Sequence, residues 1–353
     1  MEIGVRYIFL VLFGFIAAGN TAVAAESVGF KQIVLFDKGD RSLNVTVWYP
    51  TRPGGKAEMV GGNRAFVGLD VFKDSSPLAG RHPLVLLSHG YGGSWKNLNW
   101  LAGELARNGY VVAAPDHPGT TTADMRASEA TRLWERPLDI SHTLTAILDN
   151  PALGGKIDVR RIAVVGHSLG GWTAIELAGG RYSADLALKG CDGSNAPPQC
   201  KDRKLFAAIG IVGGGKAAPE LAGNYRDTRV GAVITFDPGP ASGFLADSLA
   251  AVKIPVLIYA SGTEVSEIAA RKIDSEYIAE HLPKKTTSYR EIADATHFSF
   301  VQLCKPNAKA LIEKESPGEG FVCRDGGTRS RAAIHRQVAD GVMTFLEKAF
   351  PEP

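Results

Sequence analysis

The strongest constraint on how this chain folds is one stretch near its middle, Arg161 to Thr173, which reads RIAVVGHSLGGWT. Its first half is a run of apolar and β-branched residues, a composition typical of a buried strand. The run stops at the sequence GHSLG (residues 166–170), and apolar residues at helical spacing follow at once. The stretch therefore predicts a strand, a sharp turn with Ser168 at its apex, and then a helix.

Glycines stand two positions before and two positions after Ser168. Small residues there let the strand and the helix approach each other closely. The chain has 40 glycines among 353 residues, so a glycine-rich turn without chemistry is the alternative interpretation. The position of the motif between a buried strand and a helix favours a serine held in a strained turn. Ser168 is therefore the candidate nucleophile.

Predicted strands and helices alternate along the rest of the chain, which indicates an α/β fold with a mostly parallel, doubly wound sheet. Ligands of such sheets bind at the carboxyl ends of the strands. The predicted strands are Lys31–Phe36, Ser42–Tyr49, His82–Ser88, Tyr110–Ala114, Ile162–Val165, Val230–Phe236, Pro255–Ala260 and Thr286–Ile292. Besides the helix after Ser168, the predicted helices are Trp95–Asn108, Arg136–Asp149, Ile268–Glu280 and Arg331–Phe350.

Two long segments interrupt this alternation. Pro50 to Asp74 is rich in Gly, Pro and charged residues, which predicts a surface excursion without chemistry. Arg181 to Arg229 is too long for a plain connection and predicts a lid or cap beside the site. We expect one domain over residues 26–353, with residues 181–229 as the inserted lid or cap.

A serine hydroxyl needs a base within hydrogen-bond reach, and three histidines follow Ser168. His297 comes directly after the last predicted strand, at its carboxyl end, and is the candidate general base. His281 stands at the amino side of that strand, and His335 shares a helix face with apolar residues, which indicates a structural role. His117 also follows a strand, either as a pocket residue or as a structural one.

The third group of such a site is an acid that orients the histidine. Asp237 ends the strand Val230–Phe236, and its short side chain beside a proline suits this task. Glu264 follows the next strand and is the alternative, although it could simply belong to a solvated helix start. Asp294, three residues before His297, is a weaker candidate.

A tetrahedral intermediate also needs N–H donors for its negatively charged oxygen. The backbone N–H of Leu169, the residue after the candidate nucleophile, is one expected donor. The second is expected from Tyr91, in the glycine-rich sequence HGYGG (residues 89–93) at the end of the strand His82–Ser88. A tight strand-to-helix turn without an anion is the alternative for these glycines.

The net charge and the N-terminal sequence indicate which partners and which cellular location to expect. The formal net charge is +2 with no basic stripe, which argues against nucleic acid as a partner. Arg6 precedes an apolar run from Tyr7 to Ala18, followed by small residues. This is typical of a signal peptide over residues 1–25, with an uncleaved anchor as the alternative. The sequence predicts an exported, periplasmic or secreted protein without an integral membrane span after cleavage.

All four cysteines lie beyond this segment and form two pairs of sequence neighbours. In an oxidising compartment, the simplest connectivity joins Cys191 to Cys200 and Cys304 to Cys323. Zinc is the competing explanation, but the spacings repeat no C-x-x-C unit and no histidine lies near either pair. The sequence thus predicts two disulfides and calls for neither a metal nor an organic cofactor.

Several motifs together resemble the α/β-hydrolase superfamily. They are HGYGG (89–93), DHPG (116–119), RPLD (136–139), GHSLGG (166–171), THFSF (296–300), CRD (323–325) and HR (335–336). Within the superfamily, the chain resembles the secreted bacterial predicted dienelactone hydrolases, which are similar to plasma-type platelet-activating factor acetylhydrolases. The resemblance implies Ser168 as nucleophile, Asp237 as acid and His297 as base, with Tyr91 and Leu169 as oxyanion donors. True dienelactone hydrolases carry a cysteine nucleophile, and position 168 is serine.

These residues and the resemblance together predict a serine hydrolase that cleaves a small-molecule or lipid-like carboxylic ester through an acyl-enzyme. An amidase, a lipase or a polyester hydrolase would use the same three side chains with a different lid. A protein of another class, a catalytically silent binding protein on a hydrolase scaffold, is the remaining alternative.

Overall fold

The computed structural model describes Met1 and residues 27–36, 41–192, 198–266 and 272–351. Apart from Met1, the predicted signal segment lies outside these residues. Ten strands are present in the described chain. They are β1 (Ser27–Leu35), β2 (Leu43–Thr51), β3 (Glu58–Val60), β4 (Leu69–Lys73), β5 (Arg81–Ser88), β6 (Val111–Asp116), β7 (Lys156–His167), β8 (Ala232–Phe236), β9 (Val256–Ser261) and β10 (Thr287–Ile292).

The strands form one sheet in the order β10-β9-β8-β7-β5-β6-β2-β1-β4-β3. The six strands from β10 to β6 in this order run parallel to one another. β2 is antiparallel to both β6 and β1, and β3 is antiparallel to β4. The prediction of a mostly parallel sheet is therefore confirmed.

Helices cover both faces of this sheet. The α-helices of the described chain are α1 (Asn99–Arg107), α2 (Ala127–Ala130), α3 (Glu135–Asp149), α4 (Leu169–Ala178), α5 (Ala184–Ala187), α6 (Arg203–Ala208), α7 (Ala246–Ala250), α8 (Lys272–His281), α9 (Ala308–Glu315) and α10 (Arg331–Ala349). Short 3₁₀ turns occur at Trp95–Leu98, Pro198–Asp202, Pro219–Ala222, His297–Phe300 and Gly320–Cys323. The predicted helix Trp95–Asn108 is thus a 3₁₀ turn followed by α1.

The apolar run of β5 explains why the sheet is covered on both sides. Successive side chains of a strand point to opposite faces. Leu84 and Leu86 belong to the core cluster that includes α3 and α4, whereas Val85 and Leu87 belong to the cluster that includes α1 and α10. A strand that is apolar at every position needs this two-sided burial, which is typical of parallel sheets.

The segment predicted as a surface excursion, Pro50–Asp74, instead extends the sheet. It contains β3 and β4, and β4 pairs with β1 in parallel. Leu69 and Val71 of β4 are buried while Asp70 between them is exposed. This alternation over five residues is too short to stand out among the surrounding glycines and charges, so the sequence interpretation of this segment was wrong.

The predicted lid, residues 181–229, carries the helices α5 and α6 and two of the 3₁₀ turns. Phe206, Ile209 and Ile211 are buried in the same core cluster as α3 and α4. The segment is therefore packed onto the domain through its own apolar side chains.

Disulfide bonds join Cys191 to Cys200 and Cys304 to Cys323, in the predicted pairing. The first lies within residues 181–229, and the second links the segment after β10 to the 3₁₀ turn Gly320–Cys323. Among the described residues, no group of three or more His, Cys, Asp or Glu side chains is placed to hold a metal ion. No helix in the described part of the chain has the length and apolarity needed to cross a bilayer.

Candidate active site

The turn between β7 and α4 places Ser168 at the carboxyl edge of the sheet. Its backbone has φ 55° and ψ −121°, in a region that residues with a side chain rarely adopt. A Cβ at position 166 would lie 1.9 Å from the Gly170 carbonyl oxygen, and one at 170 would lie 1.9 Å from the Ser88 carbonyl oxygen. Only glycine fits at either position, so the motif is a steric condition for exposing Ser168 at this turn.

His297 and Asp237 converge from two other strand ends. His297 begins the 3₁₀ turn after β10, and Asp237 directly follows β8. Their side chains meet at 3.1 Å between Nδ1 of His297 and Oδ2 of Asp237. Asp237 is 0% exposed and His297 is 5% exposed. The bond to Asp237 engages Nδ1 and so fixes the orientation of the His297 ring.

The surroundings of Asp237 keep its side chain ionised. Burial opposes the charge, but His297 and two hydrogen bonds from Ser261 outweigh it and lower the pKa of Asp237. The Ser261 backbone N–H donates to Oδ1 at 2.7 Å, and its hydroxyl donates to Oδ2 at 2.5 Å. A fixed carboxylate is the group that holds a histidine in one orientation and stabilises its protonated form.

The two other acids considered from the sequence lie elsewhere. Glu264 follows β9 but is exposed. Asp294 binds the Arg329 guanidinium through both carboxylate oxygens, at 2.8 Å and 2.6 Å. The structure thus brings Asp237, rather than Glu264 or Asp294, against the ring of His297.

Ser168 and His297 line the same cavity, which has a volume of about 440 Å³. Tyr91 also lines it. Leu169 follows Ser168 as the first residue of α4. Within the described residues, neither the Tyr91 nor the Leu169 backbone N–H donates to another protein atom. Both predicted oxyanion donors are therefore available to a ligand.

The orientation of the Tyr91 N–H follows from the neighbouring His89. Nε2 of His89 accepts a hydrogen bond from the His117 backbone N–H at 3.0 Å, so Nδ1 carries the ring proton. Nδ1 then donates to the Gly90 carbonyl at 2.7 Å, and the Gly93 N–H donates to the same oxygen at 3.1 Å. A trans peptide points its N–H opposite to its C=O. The Tyr91 N–H is thus held facing away from His89.

Burial keeps His89 in this neutral form. Desolvation, followed by the positive charge of Arg136, lowers the pKa of His89 well below its ordinary value. A protonated ring could not accept the hydrogen bond from His117. The peptide that carries Tyr91 is therefore oriented by a histidine whose neutral form burial favours.

His167, within the motif itself, is a site residue that the sequence analysis did not assign. Its Nε2 donates to the His297 carbonyl at 2.9 Å, and the two ring centroids are 4.5 Å apart. His167 therefore supports the backbone and ring of His297. The signal available in the sequence was that His167 directly precedes Ser168.

The cavity walls come from segments for which the sequence carried no specific signal. Leu205 from the predicted lid, Phe66 from the segment before β4, and Val322 and Glu319 from the second disulfide loop all line the cavity. Phe66 pairs with Cys304 through a backbone bridge, which ties these walls together. The segment Pro50–Asp74, expected to be a surface excursion without chemistry, thus contributes a wall residue to the cavity.

The remaining histidines lie outside the cavity lining. His117 is 0% exposed and bridges Ser88 and Asp139, at 2.9 Å from each. His335 stacks on Trp100 with ring centroids 3.7 Å apart. His281 ends α8, where Nδ1 donates to the carbonyl of Tyr277. Each has a structural partner, which for His117 and His335 agrees with the structural alternative stated from the sequence.

The sheet order and its helical layers define the α/β-hydrolase fold, and comparison with known proteins agrees. The model of the Alpha/beta hydrolase family matches residues 84–306, and the chain belongs to this family. A solved ferulic acid esterase from Streptomyces cinnamoneus is similar in fold, with a TM-score of 0.60 and 21% sequence identity, covering 96% of this chain and 95% of that chain.

Curated relatives match over a shorter stretch. Cutinase est2 of Thermobifida alba is 36% identical over 104 residues, which are 30% of this chain and 32% of the cutinase. Bis(hydroxyethyl) terephthalate hydrolase of Streptomyces coelicolor is 28% identical over 123 residues, or 35% of this chain and 37% of that enzyme. The chain thus spans about a third of the length of these relatives.

Proposed function

We propose that this protein is an exported hydrolase that cleaves carboxylic esters through an acyl-enzyme on Ser168. One observation carries the proposal: the hydrogen bond of 3.1 Å between His297 and the buried Asp237, at the wall of the cavity that Ser168 also lines. A serine, a histidine and a buried aspartate from distant parts of the sequence at one cavity support the arrangement that serine hydrolases use for acyl transfer.

In the proposed mechanism, Nε2 of His297 takes the proton of the Ser168 hydroxyl while Oγ attacks the ester carbonyl. Asp237 holds the ring through Nδ1 and stabilises the imidazolium that forms. The N–H groups of Tyr91 and Leu169 bind the oxyanion of the tetrahedral intermediate. The imidazolium then protonates the leaving alcohol, and a water molecule activated by His297 releases the acid.

Two further points support the substrate class and the compartment. The curated relatives are named as a cutinase and a terephthalate ester hydrolase, which favours an ester over an amide. Two disulfides favour an oxidising compartment and therefore export. We further propose residues 181–229 as the lid, because Leu205 of this segment lines the cavity.

A fluorophosphonate probe tests the mechanism. We expect the wild-type protein to be labelled, and the variants Ser168→Ala and His297→Ala to lose labelling while remaining folded by circular dichroism. His281→Gln is the matched control, because His281 lies at the end of α8, outside the cavity lining. A folded wild-type protein that takes up no probe would instead favour a silent scaffold.

A substrate panel then separates the ester classes. We expect turnover of p-nitrophenyl esters, with the dependence on acyl chain length reporting the depth of the cavity. Bis(hydroxyethyl) terephthalate is the panel member that tests a polyester hydrolase. Turnover of anilides at rates similar to those of the esters would contradict the ester assignment.

A further inference from the structure

Arg136 is a buried cation directly behind the proposed site. It lies in α3 and is 1% exposed. Its Nε donates to the Thr173 hydroxyl at 3.1 Å, and Nη1 donates to the Thr120 hydroxyl at 2.6 Å. Nη2 donates to the Ser88 hydroxyl at 3.3 Å and also to the His89 carbonyl. One guanidinium thus joins α4, the loop after β6 and the end of β5.

Arg136 makes no direct salt bridge in the described part of the chain, although the charge of Asp139 favours its protonated form. The four hydrogen bonds above go to three hydroxyls and one carbonyl, all of them neutral. The nearby carboxylate of Asp139 binds Arg41 through both oxygens, at 3.1 Å and 2.8 Å, and binds His117 at 2.9 Å. Burying a charge whose hydrogen bonds go only to neutral acceptors is costly, which points to a role for Arg136 in the segments that it connects.

One part is the loop that carries Tyr91. The His89 carbonyl that Arg136 binds lies one peptide before the Gly90–Tyr91 peptide. The same His89 holds the Gly90 carbonyl through its ring. Arg136 therefore fixes the backbone on which the direction of the Tyr91 N–H depends.

The other part is the start of α4. The Thr173 hydroxyl accepts from Arg136 and donates to the Leu169 carbonyl at 3.0 Å. Leu169 supplies the second N–H for the oxyanion. Arg136 therefore reaches both proposed donors, one through His89 and the other through Thr173.

We propose that Arg136 is a positioning residue that sets the distance between the two oxyanion donors, by holding the loop of Tyr91 and the start of α4 with one planar group. The inference rests on the proposed hydrolase function and adds a residue to it. Both N–H groups must converge on one oxygen atom, and small displacements of such donors are expensive in rate. A lysine side chain cannot replace the planar guanidinium, because it offers a single donor nitrogen.

The test is the variant Arg136→Lys, assayed with a p-nitrophenyl ester. We expect kcat to fall roughly tenfold to a hundredfold, with KM changing less than about threefold, because the oxyanion exists only in the transition state. Arg229→Lys is the matched control: the Arg229 guanidinium also joins separate segments, by binding Thr145 and the Ser141 carbonyl of α3, but it lies outside the cavity lining. The control should lower the melting temperature and leave kcat within about twofold.

A second pair of variants tests the same inference if Arg136→Lys does not fold. Thr173→Val removes the link to Leu169, and Thr145→Val removes the same arrangement elsewhere, a threonine that accepts from Arg229 and donates back to Ser141. We expect kcat to fall roughly threefold to tenfold in Thr173→Val only, at unchanged KM.

The outcomes separate this inference from the proposed function. Wild-type kcat in folded Arg136→Lys and in Thr173→Val would overturn the positioning role while leaving the hydrolase intact. A loss of kcat that merely follows the unfolded fraction, measured by circular dichroism at the assay temperature, would overturn it as well. A wild-type protein that neither hydrolyses esters nor takes up a fluorophosphonate would remove the proposed function itself.

Discussion

Glu176 allows a sharp prediction about stability. It lies on α4, the helix that begins directly after Ser168, and is 0% exposed. Neither of its carboxyl oxygens has a hydrogen-bond partner among the described residues. Burial therefore raises the pKa of Glu176 well above its ordinary value, although the charge of Arg181 opposes the shift. Burial thus favours the neutral, protonated form of Glu176 in the folded protein.

The sign of the pH effect follows from proton counting. In the unfolded chain Glu176 ionises near its ordinary pKa of 4.5, so above this pH the folded state binds one proton more. The free energy of unfolding then falls by about 1.4 kcal/mol for each pH unit, until the pH reaches the folded pKa. The glutamine side chain of Glu176→Gln does not titrate, so the free energy of unfolding of this variant does not fall for this reason. Between pH 5.5 and 7.5, the free energy of unfolding of this variant should rise by up to about 2.7 kcal/mol relative to that of the wild type.

Thermal unfolding followed by circular dichroism measures the difference. An unfolding entropy of about 0.7 kcal/mol/K for a chain of this size converts the gain into a melting temperature shift of up to about 4 °C. Asp116, whose pKa burial raises to about 6, adds a slope of the same sign, but it is present in both proteins and cancels.

Glu347→Gln removes an exposed carboxylate from α10 and serves as the control. Its melting curve should remain parallel to that of the wild type across the pH range. The reasoning is refuted if the melting temperatures of the wild type and Glu176→Gln differ by the same amount at pH 5.5 and at pH 7.5.

Two further predictions concern activity. Asp237→Asn should lower kcat by roughly a thousandfold or more, whereas Glu264→Gln should change it less than about threefold; the reverse result would make Glu264 the acid. Glu319 is the only carboxylate, and the only charged side chain besides histidine, among the described residues that line the cavity. Glu319→Gln should therefore lower the ratio of kcat/KM for a cationic ester to that for an anionic ester by roughly fivefold at low salt, and an unchanged ratio would exclude contact with the substrate.

The sequence was informative where one local pattern has one steric solution. The alternation around Ser168 leads to a strand, a turn and a helix, because only glycine fits at positions 166 and 170. The parallel sheet then places the other candidate residues, because residues that follow β8 and β10 lie at the same edge of the sheet as Ser168. On this basis the sequence selects His297, whereas Asp237 was preferred to Glu264, which follows β9 at the same edge, mainly through the family resemblance.

The sequence was uninformative where contacts join distant segments without a pattern of their own. The cavity wall combines Phe66, Leu205 and Val322, which lie far apart in the chain and have no shared periodicity. The role of Arg136 was hidden for a similar reason. Its RPLD motif contributed to the family resemblance, but the partners that explain it, among them His89 and Thr173, are 47 and 37 residues away.

The described residues include two sets of serine, histidine and aspartate, and their comparison shows what distinguishes the candidate site from a structural one. Ser88 binds Nε2 of His117, and Asp139 binds Nδ1 of the same ring, both at 2.9 Å. By residue type and hydrogen-bond connectivity, the set of Ser88, His117 and Asp139 is therefore complete. Yet Ser88 and His117 are 0% exposed, and Ser88 also accepts from the Arg136 guanidinium.

Burial decides the outcome for this inner set. Desolvation, then the charges of Arg136 and Arg41, lower the pKa of His117 well below its ordinary value, so it is a poor acceptor for the proton of a serine. No ester can approach a hydroxyl without exposed surface. Ser168 differs in its strained backbone, its position on the cavity and the free N–H groups beside it. Access and donors for the oxyanion, rather than the three residue types, are therefore what make Ser168 the candidate nucleophile.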